Sequence, residues 1–252
     1  MARQAPDRDV APTVQKLRLR YAKRGRLRFS SHRDFQRALE RALRRADIPM
    51  AFSAGFHPHP KVSYANAAPT GVASEAEYVE IGLTRECDPD EVCRLLDAAL
   101  PPGLDIVEVV AARTADFNQR LEASEWRVEL RDVSPELARQ AVARLMAADE
   151  VQVERLTKDG VRRFDARGAV LTAQVQEVGP VDGVESGLPC AILHLVVQHG
   201  TPAVRPDDVI SALRLVADLV PPKPPRVTRL AQGPLTESGT AVADPLAPDR
   251  AG

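Results

Sequence analysis

The hydrophobic period of this chain switches from two residues to about 3.6 and back, and it does so in the same order twice. Leu17, Leu19 and Tyr21 alternate with Arg18 and Arg20, the mark of a half-buried strand, and a Lys23-Arg24-Gly25-Arg26 turn then leads to a short extension through Leu27 and Phe29. Ser31 with Asp34 three residues on is a capping-box signature, and Phe35, Ala38, Leu39, Ala42, Leu43 and Ala46 recur at helical spacing until Ile48-Pro49 stops the helix. A strand through Tyr78, Val79, Ile81 and Leu83, a helix from Pro89 to Leu100 and a strand through Leu104, Ile106, Val107 and Val109 complete the first pass.

The second pass opens with a strand at Trp126, Val128 and Leu130, then a helix from Pro135 to Ala147 with proline in its first turn. Val151 and Val153 begin another strand, and the polar stretch from Asp159 to Arg167 reads as irregular. Strands through Val170 to Val178 and Ala191 to Val197, a helix from Pro206 to Val220 and a last strand near Val227 to Leu230 follow. The expected fold class is therefore α+β: two tandem ferredoxin-like βαββαβ units with antiparallel sheets, the second carrying an added strand or insertion. The units are expected over residues 15–113 and 124–231. Residues 1–14 and 232–252, rich in Pro, Ala and Asp without period, read as disordered tails.

Phe52 to Ser63 stands apart from both passes. Its Gly55-Phe56-His57-Pro58-His59-Pro60-Lys61 core rules out an ordinary helix or central strand, because proline removes the amide donor both need. Charge singles out the same region. The chain carries a formal net charge of -1, yet Lys16 to Tyr64 holds thirteen Lys or Arg against three acids, so a local +10 is offset by -11 after Tyr64. A concentrated basic face of this kind suits phosphate-rich partners, above all nucleic acid.

Arg33, Arg37, Arg41 and Arg44 fall along one helical stripe opposite the apolar one, and Lys23, Arg24, Arg26 and Arg28 lie just upstream. With Phe56, His59 and Lys61 of the proline-rich loop they form the candidate nucleic-acid-binding set: guanidinium forks for phosphate and an aromatic ring to stack on a base. His32, just inside the helix N-terminus, is the alternative catalytic candidate, a general base for cleaving an RNA 2′-hydroxyl. His57 and His59 have a clip-like spacing without a nearby acid or cysteine, and no metal or cofactor is expected. Gly71, Ser74, Glu75 and Glu77 are expected to scaffold the basic helix electrostatically. Cys87, Cys93 and Cys190 lack disulfide or cluster spacing, which fits a reducing compartment. No window approaches the roughly 18 to 20 uninterrupted apolar residues of a membrane span. The expected location is the cytoplasm.

Through Ser31-His32-Arg33-Asp34, Gly55 to Lys61 and Pro69-Thr70-Gly71-Val72-Ala73-Ser74-Glu75-Ala76-Glu77-Tyr78, the sequence resembles the radical-SAM-associated family. These proteins are fused to, or encoded beside, cobalamin-binding radical SAM proteins, often near a ribonuclease of the E/G type. The resemblance spans roughly residues 14 to 231 and rests in the second half on Phe164-Asp165-Ala166-Arg167 and Val204-Arg205-Pro206-Asp207-Asp208. The chain has no Cys-x-x-x-Cys-x-x-Cys motif, so the resemblance implies a partner of a radical SAM enzyme rather than the enzyme itself. A fold-level likeness to the tandem ferredoxin-like RNA-processing proteins of CRISPR systems points to RNA as well. The functional expectation is a non-catalytic accessory protein that binds RNA or an RNA-linked substrate for a separate radical SAM enzyme. The alternatives are a metal-independent endoribonuclease using His32 and a protein-interaction module.

Overall fold

The computed structural model describes residues 11–54, 56–158, 160–176 and 189–250. The chain divides into two compact units, Met1–Asn118 with Pro245–Gly252, and Gln119–Asp244. Both are α+β and built on antiparallel strands.

In the first unit β1 (Gln15–Lys23) leads through a 3-10 turn (Gly25–Phe29) to α1 (His32–Arg45), and β2 (Val62–Ala65), β3 (Ala73–Leu83), α2 (Pro89–Ala99) and β4 (Leu104–Ala111) follow. β1 pairs antiparallel with both β3 and β4, and β2 pairs antiparallel with the far edge of β3, giving the order β4-β1-β3-β2. Alternation along β1 sorts the two faces of this sheet. Leu17, Leu19 and Tyr21 join Phe35, Leu39 and Leu43 of α1, with Leu96 of α2, in one buried cluster. Arg18 and Arg20 point the other way, where Arg18 Nε donates to Glu80 at 3.1 Å and Arg20 lies 3.8 Å from Glu108. The helices thus occupy one face, and a ladder of opposite charges lines the other.

The cap of α1 is complete. Ser31 Oγ accepts from the Asp34 amide at 3.2 Å while Asp34 Oδ2 accepts from the Ser31 amide at 3.1 Å. Ser31→Ala is expected to cost about 1 kcal/mol by exposing an unpaired helix donor, read as a lower urea midpoint; an unchanged midpoint would show that the cap contributes nothing. The extension expected through Leu27 and Phe29 is instead the 3-10 turn, closed by Leu27 N–H to Arg24 O at 3.0 Å and Ser30 N–H to Leu27 O at 2.9 Å. Gly25 opens it at φ +54, a conformation that costs glycine little and breaks the strand there.

The second unit runs β5 (Ala123–Arg131), α3 (Pro135–Ala147), β6 (Gln152–Thr157), β7 (Gly160–Asp165), β8 (Val170–Gln176), β9 (Cys190–Gln198), α4 (Pro206–Ala217) and β10 (Arg226–Gly233). β5 lies between β10 and β9, and β8 pairs with the far side of β9, all antiparallel, so the order is β10-β5-β9-β8. β6 and β7 form a separate ribbon. The stretch expected to be irregular after Asp159 is therefore largely its second strand. Val161, Arg162 and Arg163 are exposed there, which explains why no core-facing alternation marks it. The strand expected to reach Val178 is described only to Gln176, and Asp159 lies outside the described residues.

The two second-half signatures hold turns. Asp165 accepts the amides of Val151, Arg167 and Gly168 at 2.8–2.9 Å, and Arg167 reaches the carbonyls of Val170 and Met146. Asp208 Oδ2 accepts the Arg205 amide at 2.7 Å and closes the start of α4.

The expected disordered C-terminal tail, 232–252, is corrected by the structure. β10 continues to Gly233, and α5 (Ala247–Arg250) places Leu246 at 0% and Asp249 at 2% exposure. Asp249 accepts from Arg18 Nη1 at 2.5 Å, from Thr114 Oγ1 at 2.6 Å and from the amides of Arg113 and Thr114 at 3.0 Å. A buried arginine and a buried carboxylate satisfy each other, and this pins the segment. Of the expected N-terminal tail, residues 1–10 lie outside the described residues, while Val14 donates its amide to Leu83 O at 2.8 Å.

Candidate nucleic-acid interface

Helix α1 presents the site because its two faces are used differently. Phe35, Leu39, Ala42 and Leu43 are buried, and Arg33, Arg37, Arg41 and Arg44 stand exposed on the outer side. Most arginines around them in this unit are engaged: Arg18 and Arg20 in the charge ladder, Arg45 with the Ala99 carbonyl at 3.0 Å, Arg24 with Glu75 and Asp105. The four on the outer face of α1 form no side-chain hydrogen bond or salt bridge among the described residues. Four guanidiniums that no side chain pairs directly, with only Asp34 and Glu40 as acids on the same helix, make an anion-attracting surface.

The upstream basic residues divide. Arg26 is exposed and unpaired among the described residues. The Arg28 guanidinium lies 4.6 Å over the ring of Phe29, which is 59% exposed, so a cation and an aromatic ring are offered together. Arg24 is bound in a fork by Glu75 and at 2.9 Å by Asp105, and those carboxylates raise its pKa and neutralise its charge locally. Lys23 departs from the expected set altogether. It is buried, with Nζ donating to the carbonyls of Ala68 and Pro69 at 3.4 and 3.3 Å, because the turn before β3 folds over it. Glu77 is buried beside it and accepts the Ala68 amide at 3.0 Å. Glu75 and Glu77 thus scaffold the end of β1 and that turn, not α1 as expected.

His32 is exposed at the helix start, edge-on to Tyr64 with ring centroids 4.8 Å apart, and its Nε2 lies 3.0 Å from Gln36 Nε2. With the Gln36 amide donating, the Nε2 lone pair is engaged within the helix. Tyr64 in turn meets Phe35, which stacks on Tyr21 at 4.0 Å, so an aromatic chain runs from the core to the surface. Burial, with the negative charge of Glu40, pushes the Tyr64 phenol up to about 12.

The proline-rich loop closes on itself: Phe52 bridges Pro60, the Ser53 amide donates to His59 O at 2.8 Å, and the His59 amide donates to Ser53 Oγ at 3.0 Å. Phe56 is 47% exposed and His57 and His59 are exposed; Gly55 lies outside the described residues. Lys61 is exposed and donates to Thr13 Oγ1 at 2.9 Å. Among the described residues no three His, Cys, Asp or Glu side chains cluster as a metal site.

Between this loop and the C-terminal half of α1 lies a pocket of about 320 Å³. Buried Leu43, Ile48 and Met50 form its floor, while Glu40 and Arg44 from the helix and Phe52 and His59 from the loop stand around its mouth. Phe52 lines this pocket, whereas Phe56, the ring expected to stack on a base, does not. Sequence reasoning also passed over Phe29, Glu40 and Tyr64; the available signal was an aromatic or acid at i−4 or i+3 from a candidate arginine for the first two, and at i+3 from Lys61 for Tyr64.

The fold and this patch define an α+β protein with one cationic, aromatic-edged helix face. Its sequence gives the membership: the chain belongs to the family described as Uncharacterized protein conserved in bacteria (DUF2344), whose model matches residues 16–206. No curated protein matches the chain. Among the described residues no helix is long and apolar enough to cross a membrane.

Proposed function

We propose that each unit is a ferredoxin-like βαββαβ module and that the chain is a non-catalytic accessory protein, binding RNA or an RNA-linked substrate for a separate radical SAM enzyme. The strand orders β4-β1-β3-β2 and β10-β5-β9-β8 support the first part, the β6–β7 ribbon being an insertion between α3 and β8. The observation that carries the second is the unpaired stripe Arg33, Arg37, Arg41 and Arg44 in a unit whose other basic side chains are largely engaged. Exposed rings at Phe29, Phe52 and Phe56 supply what single-stranded RNA needs beyond charge, a face on which bases stack. Among the described residues no carboxylate orients His32, which supports binding over cleavage. The chain lacks the cysteine triad of a radical SAM cluster, which supports a division of labour with a partner enzyme.

Single-stranded RNA is expected to bind in a filter assay at low salt and to weaken steeply as salt rises, because phosphate contacts release counterions. End-labelled RNA incubated in EDTA is expected to stay intact. Discrete products that vanish in His32→Ala would replace the accessory reading by a nuclease, and no retention at low salt would remove RNA from it. Affinity capture of the endogenous protein is expected to recover a radical SAM enzyme; capture without one would remove that partner.

A further inference from the structure

Glu40 is the one feature of the cationic surface that a phosphate site does not explain. It precedes Arg44 by one helical turn, the order and spacing that favour an ion pair on a helix face, yet the two form no salt bridge among the described residues, and both line the pocket instead. Asp34, the other acid of α1, is consumed by the helix cap. Glu40 keeps both oxygens available at the mouth of an apolar cavity. A carboxylate there repels phosphate, so it serves a group that donates hydrogen bonds.

The pocket constrains that group further. Its floor is hydrocarbon and sulfur, Phe52 offers a ring at its mouth, and about 320 Å³ lies at the small end of ligand cavities. A flat heteroaromatic ring with donors on one edge meets all three conditions. Among the four RNA bases only guanine carries two adjacent donors, N1–H and the 2-amino group, on its Watson–Crick edge. A carboxylate is acceptor-only with two oxygens and matches that pair, whereas adenine, cytosine and uracil each offer a single donor site. Arg44 on the same rim can hold the phosphate of the same nucleotide.

Resting on the RNA-binding reading above, we infer that the pocket between α1 and the proline-rich loop receives one unpaired guanine of a single-stranded RNA, stacked on Phe52 and read by Glu40. The arginine stripe supplies sequence-independent affinity, and the pocket supplies base choice.

The test uses the full chain and labelled RNA octamers in fluorescence anisotropy: all uridine, or with one central guanosine, inosine, adenosine or cytidine. The guanosine octamer is expected to bind roughly tenfold to a hundredfold more tightly than the others, the range of a bidentate base contact. Inosine, which lacks the 2-amino group, is expected to lose most of that gain. Glu40→Gln, a conservative change whose folding is checked by thermal melting, is expected to erase the preference while leaving all-uridine affinity unchanged or slightly higher. Phe52→Ala is expected to weaken the guanosine octamer by about tenfold, the usual loss of one stacking contact. Salt-dependent binding of every octamer with equal affinity would overturn the guanine pocket and leave the RNA reading standing, as would a preference that survives Glu40→Gln. Failure of all octamers to bind at low salt would sink both. Guanosine monophosphate binding as tightly as the octamer would overturn the RNA-borne guanine in favour of a free mononucleotide.

Discussion

Reversing Arg33, Arg37 and Arg41 to glutamate is expected to lower affinity for single-stranded RNA by on the order of 10³-fold, since three phosphate partners become three repulsive charges. The wild-type dependence of log affinity on log salt is expected to have a slope of about -3 if the four stripe arginines each meet one phosphate, and the triple variant should flatten it. Stability should hardly move. The three side chains are exposed and make no hydrogen bond or salt bridge among the described residues, so nothing in the core depends on them. Glutamate at position 33 even falls in the first turn of α1, where a negative charge is favoured by the helix dipole. Arg24→Ala provides the contrast: its charge is already met by Glu75 and Asp105, so its loss should change RNA affinity less than twofold. A triple variant that binds like wild type, or an Arg24→Ala variant that loses as much as the triple, would show that the stripe is not the binding surface.

Most of the element order and the basic helix were legible in the sequence because both are local, but β2 and β7 were not read as strands. The apolar stripe of α1 and its Ser31–Asp34 cap lie within a few residues, and alternation along β1 told Leu17 from Arg18 before any pairing was known. Local signals cannot say which of several arginines will find a partner. Lys23 and Arg24 looked the same as Arg26 in sequence, yet Lys23 is covered by carbonyls at Ala68 and Pro69, some 45 residues away, and Arg24 is met by Glu75 and Asp105. The pocket was illegible for the same reason. Phe52 and Phe56 are four residues apart in one irregular loop, and only the closure of that loop through Ser53 and His59 turns Phe52 toward α1.

Most of what composition misjudged lies in the C-terminal segment, and there the energetic stake is largest. Replacing Asp249 with alanine is expected to destabilise the first unit by about 3–5 kcal/mol, because Arg18, whose side chain is 4% exposed, would be left in the interior with part of its charge uncompensated. Glu80 still reaches Arg18 at 3.1 Å but is shared with Lys16 at 2.9 Å, so it replaces only part of what is lost. Against a typical stability of roughly 5–15 kcal/mol this is a large fraction, and the melting transition should fall by about 10 °C. The pH dependence gives the same prediction a second reading. Burial alone would raise the Asp249 carboxyl, but hydrogen bonds from Thr114, Arg18 and the Arg113 amide outweigh it and hold the pKa at about 2. A folded pKa below the unfolded value of about 3.9 means that this contribution is present in full above that value and is lost as pH falls toward 2; it amounts to about 2.5 kcal/mol. Urea denaturation at neutral pH and near pH 3 should therefore show wild type losing more stability on acidification than Asp249→Asn, which has no carboxylate to protonate at that position. Equal acid sensitivity of the two proteins, together with a wild-type melting temperature for Asp249→Ala, would mean that the segment after Pro245 rests on the sheet without holding it.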